Sequence, residues 1–294
     1  MTATRPALGV IGGSGLYDVE MLEGVEEKFI DTPYGAPSDA ILSGRMKGTD
    51  TQVLFLPRHG RGHRVPPSSI NYRANLCALK LAGATCVLSV SAVGSMKEEI
   101  APGDVVAVDQ FIDLTKRRVS TYFDEHVAAH VAFSDPVCPV MQGAVHAAAV
   151  EATAAAGKGS KAHKGGTYVC IEGPQFSTRA ESLVYRSWGV SVIGMTNMPE
   201  AKLAREAELP YATLALATDY DCWHESEEAV NVEAVVATLK RNVAVAKDVA
   251  RRLAHNLPDL SKSPARTALS GAVMTDRSTI PAETRAKLSW LLGS

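Results

Sequence analysis

Short apolar runs separated by amphipathic segments recur along most of the chain. Several runs are apolar at consecutive positions and rich in β-branched residues, which is typical of strands covered on both faces. Between them, apolar residues repeat at helical spacing, most clearly over 232–253, where Lys and Arg occupy the opposite face. The predicted strands are 8–11, 53–56, 86–90, 105–108, 168–171, 190–193 and 211–217. The predicted helices are 69–81, 137–156, 179–188, 199–207 and 232–253.

The alternation of predicted strands and helices indicates an α/β fold with a largely parallel sheet. The chain has 294 residues, of which 46% are hydrophobic and 21% are charged, so it can bury a sizeable core. The sequence contains no internal repeat and no convincing linker. We therefore expect one domain over residues 1–294, with a helical tail from about residue 265.

Charge and cysteine content narrow the classes of function. The 30 basic and 32 acidic residues give a net charge of −2, and no basic run is long enough to follow phosphates, which disfavours nucleic-acid binding. The sequence has no apolar signal region and no run approaching a membrane span, so we expect no membrane partner. The five cysteines form no C-x-x-C pair, and we interpret them as reduced thiols of a cytoplasmic protein.

The most informative part of the chain is a predicted strand that is followed by two carboxylates. Asp219 and Asp221 follow the apolar run 211–217, and ligands usually bind at the strand ends of open α/β sheets. If the extended geometry continues, these next-but-one neighbours point the same way. Such a pair can hold the amino edge of a base and share a proton. The alternative is an acidic loop that caps the next helix.

Two earlier loops carry residues suited to an anion. Residues 12–16 are Gly-Gly-Ser-Gly-Leu, in which backbone N–H groups can converge and Ser14 adds a hydroxyl. The Rossmann, phosphate-loop and nucleophile-elbow patterns are missing. Arg58 offers a bidentate fork to an oxyanion and His59 a further donor. The spacing of His59 and His63 could mimic a zinc pair, but the absence of an acid between them and the nearby arginines disfavour a metal. The alternatives are a tight strand exit and an ordinary surface loop.

Further strand ends add to this inventory. Ser91 follows the run 86–90 among small residues, and Phe176 offers a ring on which a flat base can stack, unless it is ordinary core. Thr196 can donate to an anion, and Met195 can pack against a sugar. Because the ends of parallel strands open on one edge of a sheet, six such ends together predict a site for phosphate and a purine nucleoside.

With these residues in view, the chain resembles the trimeric purine nucleoside phosphorylase superfamily, and within it the S-methyl-5′-thioadenosine phosphorylases. The likeness runs from residue 11 to at least residue 253. It rests on Ile-Gly-Gly-Ser-Gly-Leu at 11–16, Asp-Thr-Pro-Tyr-Gly at 31–35, Pro-Arg-His-Gly-Arg at 57–61, Pro-Gly-Asp at 102–104, Asp-Gln-Phe-Ile-Asp at 109–113, Glu-Gly-Pro at 172–174 and the stretch 217–223. Taken together, these motifs are too specific for a chance match.

The resemblance implies a single-domain α/β/α sandwich around a mixed, largely parallel twisted sheet. It implies a pentosyltransferase in which phosphate cleaves S-methyl-5′-thioadenosine to adenine and 5-methylthioribose 1-phosphate, in purine and methionine salvage. It also implies a cytoplasmic homotrimer without metal or organic cofactor, phosphate being a co-substrate. The implied phosphate contacts are Ser14, Arg58, His59, Ser91, Ala92 and Thr196. The implied ribose and base contacts are Met195, Phe176, Ile193, Asp219 and Asp221. The implied methylthio pocket comprises Val232, Val235 and His130 of a neighbouring subunit.

The same resemblance assigns catalysis to Asp219 as general acid, aided by Asp221. Relatives that prefer 6-oxopurines usually carry Asn in place of Asp219, and an ionised carboxylate, which only accepts hydrogen bonds, suits a 6-amino group. Gln175 and Asn197 depart from common family residues and leave fine substrate preference open. The alternatives are a broader phosphorylase acting on adenosine, 5′-deoxyadenosine or 6-oxopurine nucleosides, a hydrolase that needs no phosphate, and a nucleoside-binding protein without turnover.

Overall fold

The computed structural model describes residues 6–16, 19–123, 126–157, 159–224 and 232–293. For residues 14, 19 and 232–237 it describes the backbone and not the side chains. Within these ranges the chain forms eleven strands and six α-helices. The strands are β1 (Ala7–Gly12), β2 (Leu22–Lys28), β3 (Ile41–Met46), β4 (Gln52–Pro57), β5 (Cys86–Ser95), β6 (Val105–Ala107), β7 (Gln110–Asp113), β8 (Ala162–Lys164), β9 (Thr167–Cys170), β10 (Val192–Gly194) and β11 (Tyr211–Asp219). The helices are α1 (Tyr72–Leu81), α2 (Pro139–Ala156), α3 (Arg179–Ser187), α4 (Asn197–Glu206), α5 (Val232–His255) and α6 (Ala282–Leu292).

Strand β5 organises the sheet because its two parts have different partners. Its first part lies parallel to β1 and to β11, whereas its last residues, Gly94 and Ser95, pair antiparallel with β10. One branch of the sheet therefore continues through β11, β6 and β8, and another through β10, β9 and β7. Among the described strands, six of ten pairings are parallel, so the sheet is mixed and largely parallel.

Helices cover both faces of this sheet. Helices α1 and α4 pack together over one apolar core, and α2 and α5 pack together over a second. Successive residues of β5 enter opposite cores, Val87 the first and Leu88 the second, because side chains of a strand alternate between faces. This explains the consecutive apolar residues of the sequence and confirms the α/β/α sandwich.

Local signals set the ends of several helices. The Asn71 side chain accepts a hydrogen bond from the Ala74 N–H at 3.1 Å and so caps α1. Thr178 and Glu181 form a reciprocal capping box that starts α3 beside the site described below. Helix α2 is capped at its C-terminus by Gly157, whose φ of 64° favours glycine.

Every predicted strand and helix forms, although β5 extends five residues beyond its predicted end at residue 90. The sequence did not predict β2, β3, β7 and β8; β2 is charged and mostly exposed, so it carries no apolar run. The expectation that the strand ends open on one edge is wrong for β10, which runs antiparallel to β5. Its end instead turns back alongside the middle of β5, and this reversal shapes the site.

Two whole-chain expectations bear on the described ranges. Within them, no helix is both long and apolar enough to cross a membrane. The same part of the chain holds no group of three or more His, Cys, Asp or Glu side chains arranged to bind a metal ion. All five cysteines are free thiols, and four of them are buried.

Candidate functional site

The point where β5 changes partners is also where the chemically distinctive side chains meet. Gly94 lies at this fork, paired with both Asp219 of β11 and Ile193 of β10. A Cβ at Gly94 would lie 3.1 Å from Asp219 Oδ1, 3.1 Å from Ile193 Cγ2 and 3.2 Å from Asp221 Cβ. The missing side chain therefore lets two carboxylates and an apolar wall converge on one short backbone segment.

A turn, and not continued strand geometry, holds the two carboxylates together. Strand β11 ends at Asp219, and Asp221 begins a short 3₁₀ turn with a φ of 54°. The Asp221 N–H donates to Asp219 Oδ1 at 2.9 Å, and the Thr218 hydroxyl donates to Asp219 Oδ2 at 2.7 Å. The pair is adjacent as predicted, but the extended continuation proposed from the sequence is wrong.

Asp221 is partly buried and contacts helix α3. Its Oδ2 accepts a hydrogen bond from the fully buried Ser182 hydroxyl of α3 at 2.5 Å. Burial raises the pKa of Asp221; the Ser182 hydrogen bond opposes this and the charge of Asp219 adds to it. A carboxyl group with a raised pKa beside a second carboxyl group is compatible with the predicted sharing of a proton, which stays a prediction.

Two hydroxyl groups meet where the end of β10 passes the middle of β5, although the sequence predicted that Ser91 would follow the end of its strand. Ser91 of β5 and Thr196, which follows β10, are both buried, and their Oγ and Oγ1 atoms are 3.0 Å apart. Ala92, the next residue of β5, is exposed. Adjacent hydroxyls beside an exposed backbone segment can donate to a tetrahedral anion.

Arg58 is buried beneath this region, and its fork is already occupied. Its Nε and Nη2 atoms donate to Glu200 at 2.8 and 3.1 Å, and Nη2 also lies 2.6 Å from Ser89 Oγ. Nη1 donates to the Val90 carbonyl at 2.9 Å, which leaves one of its two N–H groups without a described acceptor. Burial alone would lower the pKa of Arg58, but the Glu200 carboxylate raises it, so the guanidinium stays charged. The sequence predicted a fork aimed at an anion; the structure aims it at Glu200.

His59 presents an acceptor, where the sequence predicted a donor. Its Nδ1 lies 2.9 Å from the Val65 carbonyl, which can only accept, so Nδ1 carries the proton. Burial, followed by the charge of Arg58, lowers the pKa of His59 to about 4. The ring, stacked on His63 with centroids 4.3 Å apart, is neutral at pH 7 and offers the Nε2 lone pair.

The low pKa of His59 predicts a pH effect on stability. Between pH 6.5 and about 4, the unfolded chain binds a proton at this ring that the folded chain does not, so the free energy of unfolding should fall as pH falls. His59→Asn should make that dependence shallower. Urea unfolding across this range measures it, with His255→Asn as the matched control, since His255 is exposed and its Nδ1 also meets a carbonyl. Parallel curves for His59→Asn and wild type would contradict the prediction.

Loops after β9 and β10 supply an aromatic and a flexible side chain. Phe176, predicted as a stacking ring or core residue, is 85% exposed and therefore not core. Met195 is half-buried, and a Cβ at Gly173 would lie 2.5 Å from its Sδ. The nearly buried Arg118 donates to the Met195 carbonyl at 2.6 Å and to the Glu172 carbonyl at 2.6 Å. Arg118 thus ties the two loops together.

The remaining predicted residues lie elsewhere or outside the described groups. His130 is exposed; its N–H donates to the Ala272 carbonyl at 2.9 Å, and its side chain lines a surface pocket of about 270 Å³ with Arg205. Its described contacts therefore join it to the C-terminal tail. The side chains of Ser14, Val232 and Val235 fall outside the described groups.

Several functional neighbours carried no local signal in the sequence. Ser182, Glu200 and Tyr168 reach the site from α3, α4 and β9, and each contacts a predicted residue across a long separation in the chain. A serine in a helix or a tyrosine in a strand is unremarkable by itself. Glu200 lies in the first turn of α4, and an acidic residue at the start of a helix is equally ordinary.

The assembled groups define what the site can do. Buried hydroxyls and a buried guanidinium can hold an anion, and the carboxylate pair can hold a protonated or amino-bearing ring a short distance along β5. The apolar Ile193 beside the pair suits a flat base. This arrangement can position an anion and a nucleoside side by side.

Comparisons with known proteins agree with this geometry. The family model described as the phosphorylase superfamily matches residues 7–255. The S-methyl-5′-thioadenosine phosphorylase of Geobacter sulfurreducens is 53% identical over 288 residues, covering 98% of each chain. That of Thermosynechococcus vestitus is 49% identical over 289 residues, covering 97% of each.

Solved structures give the same result. A methylthioadenosine phosphorylase from an antarctic soil metagenomic library superposes with a TM-score of 0.91 at 47% identity, covering 98% of this chain and 99% of that chain. A mutant of the Schistosoma mansoni adenosine/methylthioadenosine phosphorylase, in complex with methylthioadenosine, has a TM-score of 0.83 at 32% identity, covering 92% of this chain and 99% of that chain.

Proposed function

This chain belongs to the phosphorylase superfamily, and from that premise we propose that it cleaves S-methyl-5′-thioadenosine with inorganic phosphate. The products are adenine and 5-methylthioribose 1-phosphate. The observation that carries the proposal is the convergence of Asp219, Asp221 and Ile193 on Gly94, a few residues along β5 from the Ser91 hydroxyl. This convergence supports an anion site and a base site side by side along one strand.

On the phosphate side, the chain supplies several hydrogen-bond donors and one hydrogen-bond acceptor. The Ser91 and Thr196 hydroxyls and the remaining Nη1 proton of Arg58 donate to phosphate, and the backbone at Ala92 lies beside them. The neutral Nε2 of His59 accepts a hydrogen bond from the protonated oxygen of hydrogen phosphate. A phosphate oxygen so held attacks C1′ of the ribose, and its negative charge stabilises the cationic character of that carbon in the transition state.

On the base side, the bond from C1′ to N9 breaks while Asp219 donates a proton to N7, so adenine leaves neutral. The Thr218 hydroxyl allows Asp219 to alternate between protonation states. It donates to Asp219 Oδ2 at 2.7 Å, but it also lies 3.2 Å from the Val93 carbonyl and can turn there when Oδ2 carries a proton. Asp221, held by Ser182, accepts from the 6-amino group.

Other side chains contact the ribose, the face of the base and the methylthio group. Met195 packs against the ribose, and the exposed Phe176 closes over the base. The methylthio group lies against Val232 and Val235, together with His130 of a neighbouring subunit. The exposure of His130 supports this last assignment, which makes the working form a homotrimer. The products feed purine and methionine salvage in the cytoplasm.

Adenine release tests the proposal directly. We expect the purified chain to release adenine from methylthioadenosine only when phosphate is present, with inosine inert. Chromatography of the base, with and without phosphate, measures this. Release without phosphate would indicate a hydrolase, and binding of methylthioadenosine without turnover would indicate a binding protein.

A broader phosphorylase is the second candidate. The Schistosoma mansoni relative named as an adenosine/methylthioadenosine phosphorylase favours it, at 31% identity to this chain. Comparing kcat/KM for methylthioadenosine, 5′-deoxyadenosine and adenosine separates the two possibilities. A value for adenosine equal to that for methylthioadenosine would replace the narrower assignment.

A further inference from the structure

The phenol of Tyr168 lies directly behind the two hydroxyls proposed to hold phosphate. Tyr168 is completely buried, and its Oη is 3.2 Å from Ser91 Oγ and 3.5 Å from the Thr196 backbone N. Ser91 Oγ is in turn 3.0 Å from Thr196 Oγ1. One phenol on β9 thus contacts both residues, although Ser91 lies within β5 and Thr196 follows β10.

The backbone of β10 makes room for this phenol. A Cβ at Gly194 would lie only 2.0 Å from Tyr168 Oη and 2.6 Å from its Cζ. Distances this short are not tolerated between real atoms, so any larger residue at Gly194 would displace the ring. The close approach of the hydroxyl to Ser91 and Thr196 therefore depends on a glycine at this position.

The partners of Tyr168 favour one direction for the hydroxyl protons. An amide N–H only donates, so Oη accepts from Thr196, and Ser91 Oγ lies where it can accept the phenol proton. Ser91 then directs its proton to Thr196 Oγ1 or to a ligand. In this arrangement Thr196 Oγ1 accepts from Ser91, and the Thr196 hydroxyl proton is free to turn to a ligand. Burial raises the pKa of Tyr168 to about 12, so the phenol keeps its proton at neutral pH.

We infer that Tyr168 is a positioning residue of the phosphate site, whose hydroxyl donates to Ser91 so that the Ser91 and Thr196 protons face the anion. Tyr168 itself does not contact phosphate. Without its hydroxyl, Ser91 can turn its proton to the Ala92 carbonyl, 3.4 Å away, and the site loses a donor. A chain of hydroxyls with one direction also strengthens each of its hydrogen bonds.

This inference rests on the proposed function, and Tyr168→Phe tests it. We expect the KM for phosphate to rise about tenfold, the size associated with losing a hydrogen bond to a charged group. The KM for methylthioadenosine should stay within about twofold, since the base and sugar contacts are untouched. The matched control is Tyr122→Phe: Tyr122 is also fully buried, but its hydroxyl bonds to the Arg73 carbonyl at 3.2 Å. That variant should leave the KM for phosphate unchanged.

A double variant separates positioning from general damage. If Tyr168 acts through Ser91, adding Tyr168→Phe to Ser91→Ala should raise the KM for phosphate no further. Multiplied effects, an unchanged KM in Tyr168→Phe, or an equal rise in both KM values would each overturn the inference. Should the wild-type chain release no adenine, the proposed function fails by itself. Phosphate-dependent thermal stabilisation of wild type against Tyr168→Phe then still tests the positioning role.

Discussion

Asp219→Asn should lower kcat/KM for methylthioadenosine by roughly 10³-fold, within the range that general acid catalysis contributes. The asparagine amide fits the same space and can still donate to N7, but it cannot transfer a proton, so adenine would leave as an anion. The same amide would also meet the 6-amino group as a second donor. For inosine, whose 6-oxo oxygen accepts hydrogen bonds, we expect the rate to rise relative to methylthioadenosine.

Steady-state kinetics with both nucleosides measures this, and Asp221→Asn is the matched comparison. The asparagine can keep the contact with Ser182. Because Asp221 takes no part in the proposed proton transfer, Asp221→Asn should raise KM more than it lowers kcat. A reversed order, with Asp221→Asn the slower enzyme, would transfer the general-acid role to Asp221. Because the pKa of Asp221 is raised, Asp221 is the alternative general acid that this comparison tests. Full activity of Asp219→Asn would exclude Asp219 as the general acid.

The parts of the site that the sequence predicted are those with a local signal. Asp219 and Asp221 follow an apolar run, and Arg58 and His59 follow another, so periodicity alone locates them at strand ends. Their partners carry no such signal, because folding brings them together from far along the chain. Glu200 is 142 residues from Arg58, and Tyr168 is 77 residues from Ser91.

The direction of β10 was the other feature that the sequence could not predict. Apolar runs predict that a strand exists but not which way it lies beside its neighbour, and Gly94–Ser95 pairs antiparallel with Val192–Ile193. That reversal brings Thr196 back to Ser91, so the predicted site residues lie around the fork of β5 and not along one edge of the sheet.

Glu200→Ala should have the largest effect on stability, because it leaves the Arg58 charge buried without a partner. Arg58 is 2% exposed and Glu200 is fully buried, and the carboxylate also accepts from Ser89 at 2.6 Å and Tyr211 at 2.9 Å. Removing one member of such a pair costs about 3–5 kcal/mol, a large share of the roughly 5–15 kcal/mol that typical proteins possess. The exposed Glu27, which pairs with Arg61 at 2.7 Å, is the control. Glu27→Ala should cost less than about 1 kcal/mol.

A second variant keeps this prediction testable if Glu200→Ala does not fold. Replacing the pair together, as Arg58→Met with Glu200→Leu, removes the uncompensated charge and fills its space with apolar atoms. We therefore expect the double variant to unfold at higher urea concentration than Glu200→Ala, yet to lose phosphate-dependent activity because Arg58 is gone. If the double variant were the less stable of the two, the Arg58–Glu200 pair would itself be a net source of stability. Equal losses for Glu200→Ala and Glu27→Ala would contradict the buried-charge argument altogether.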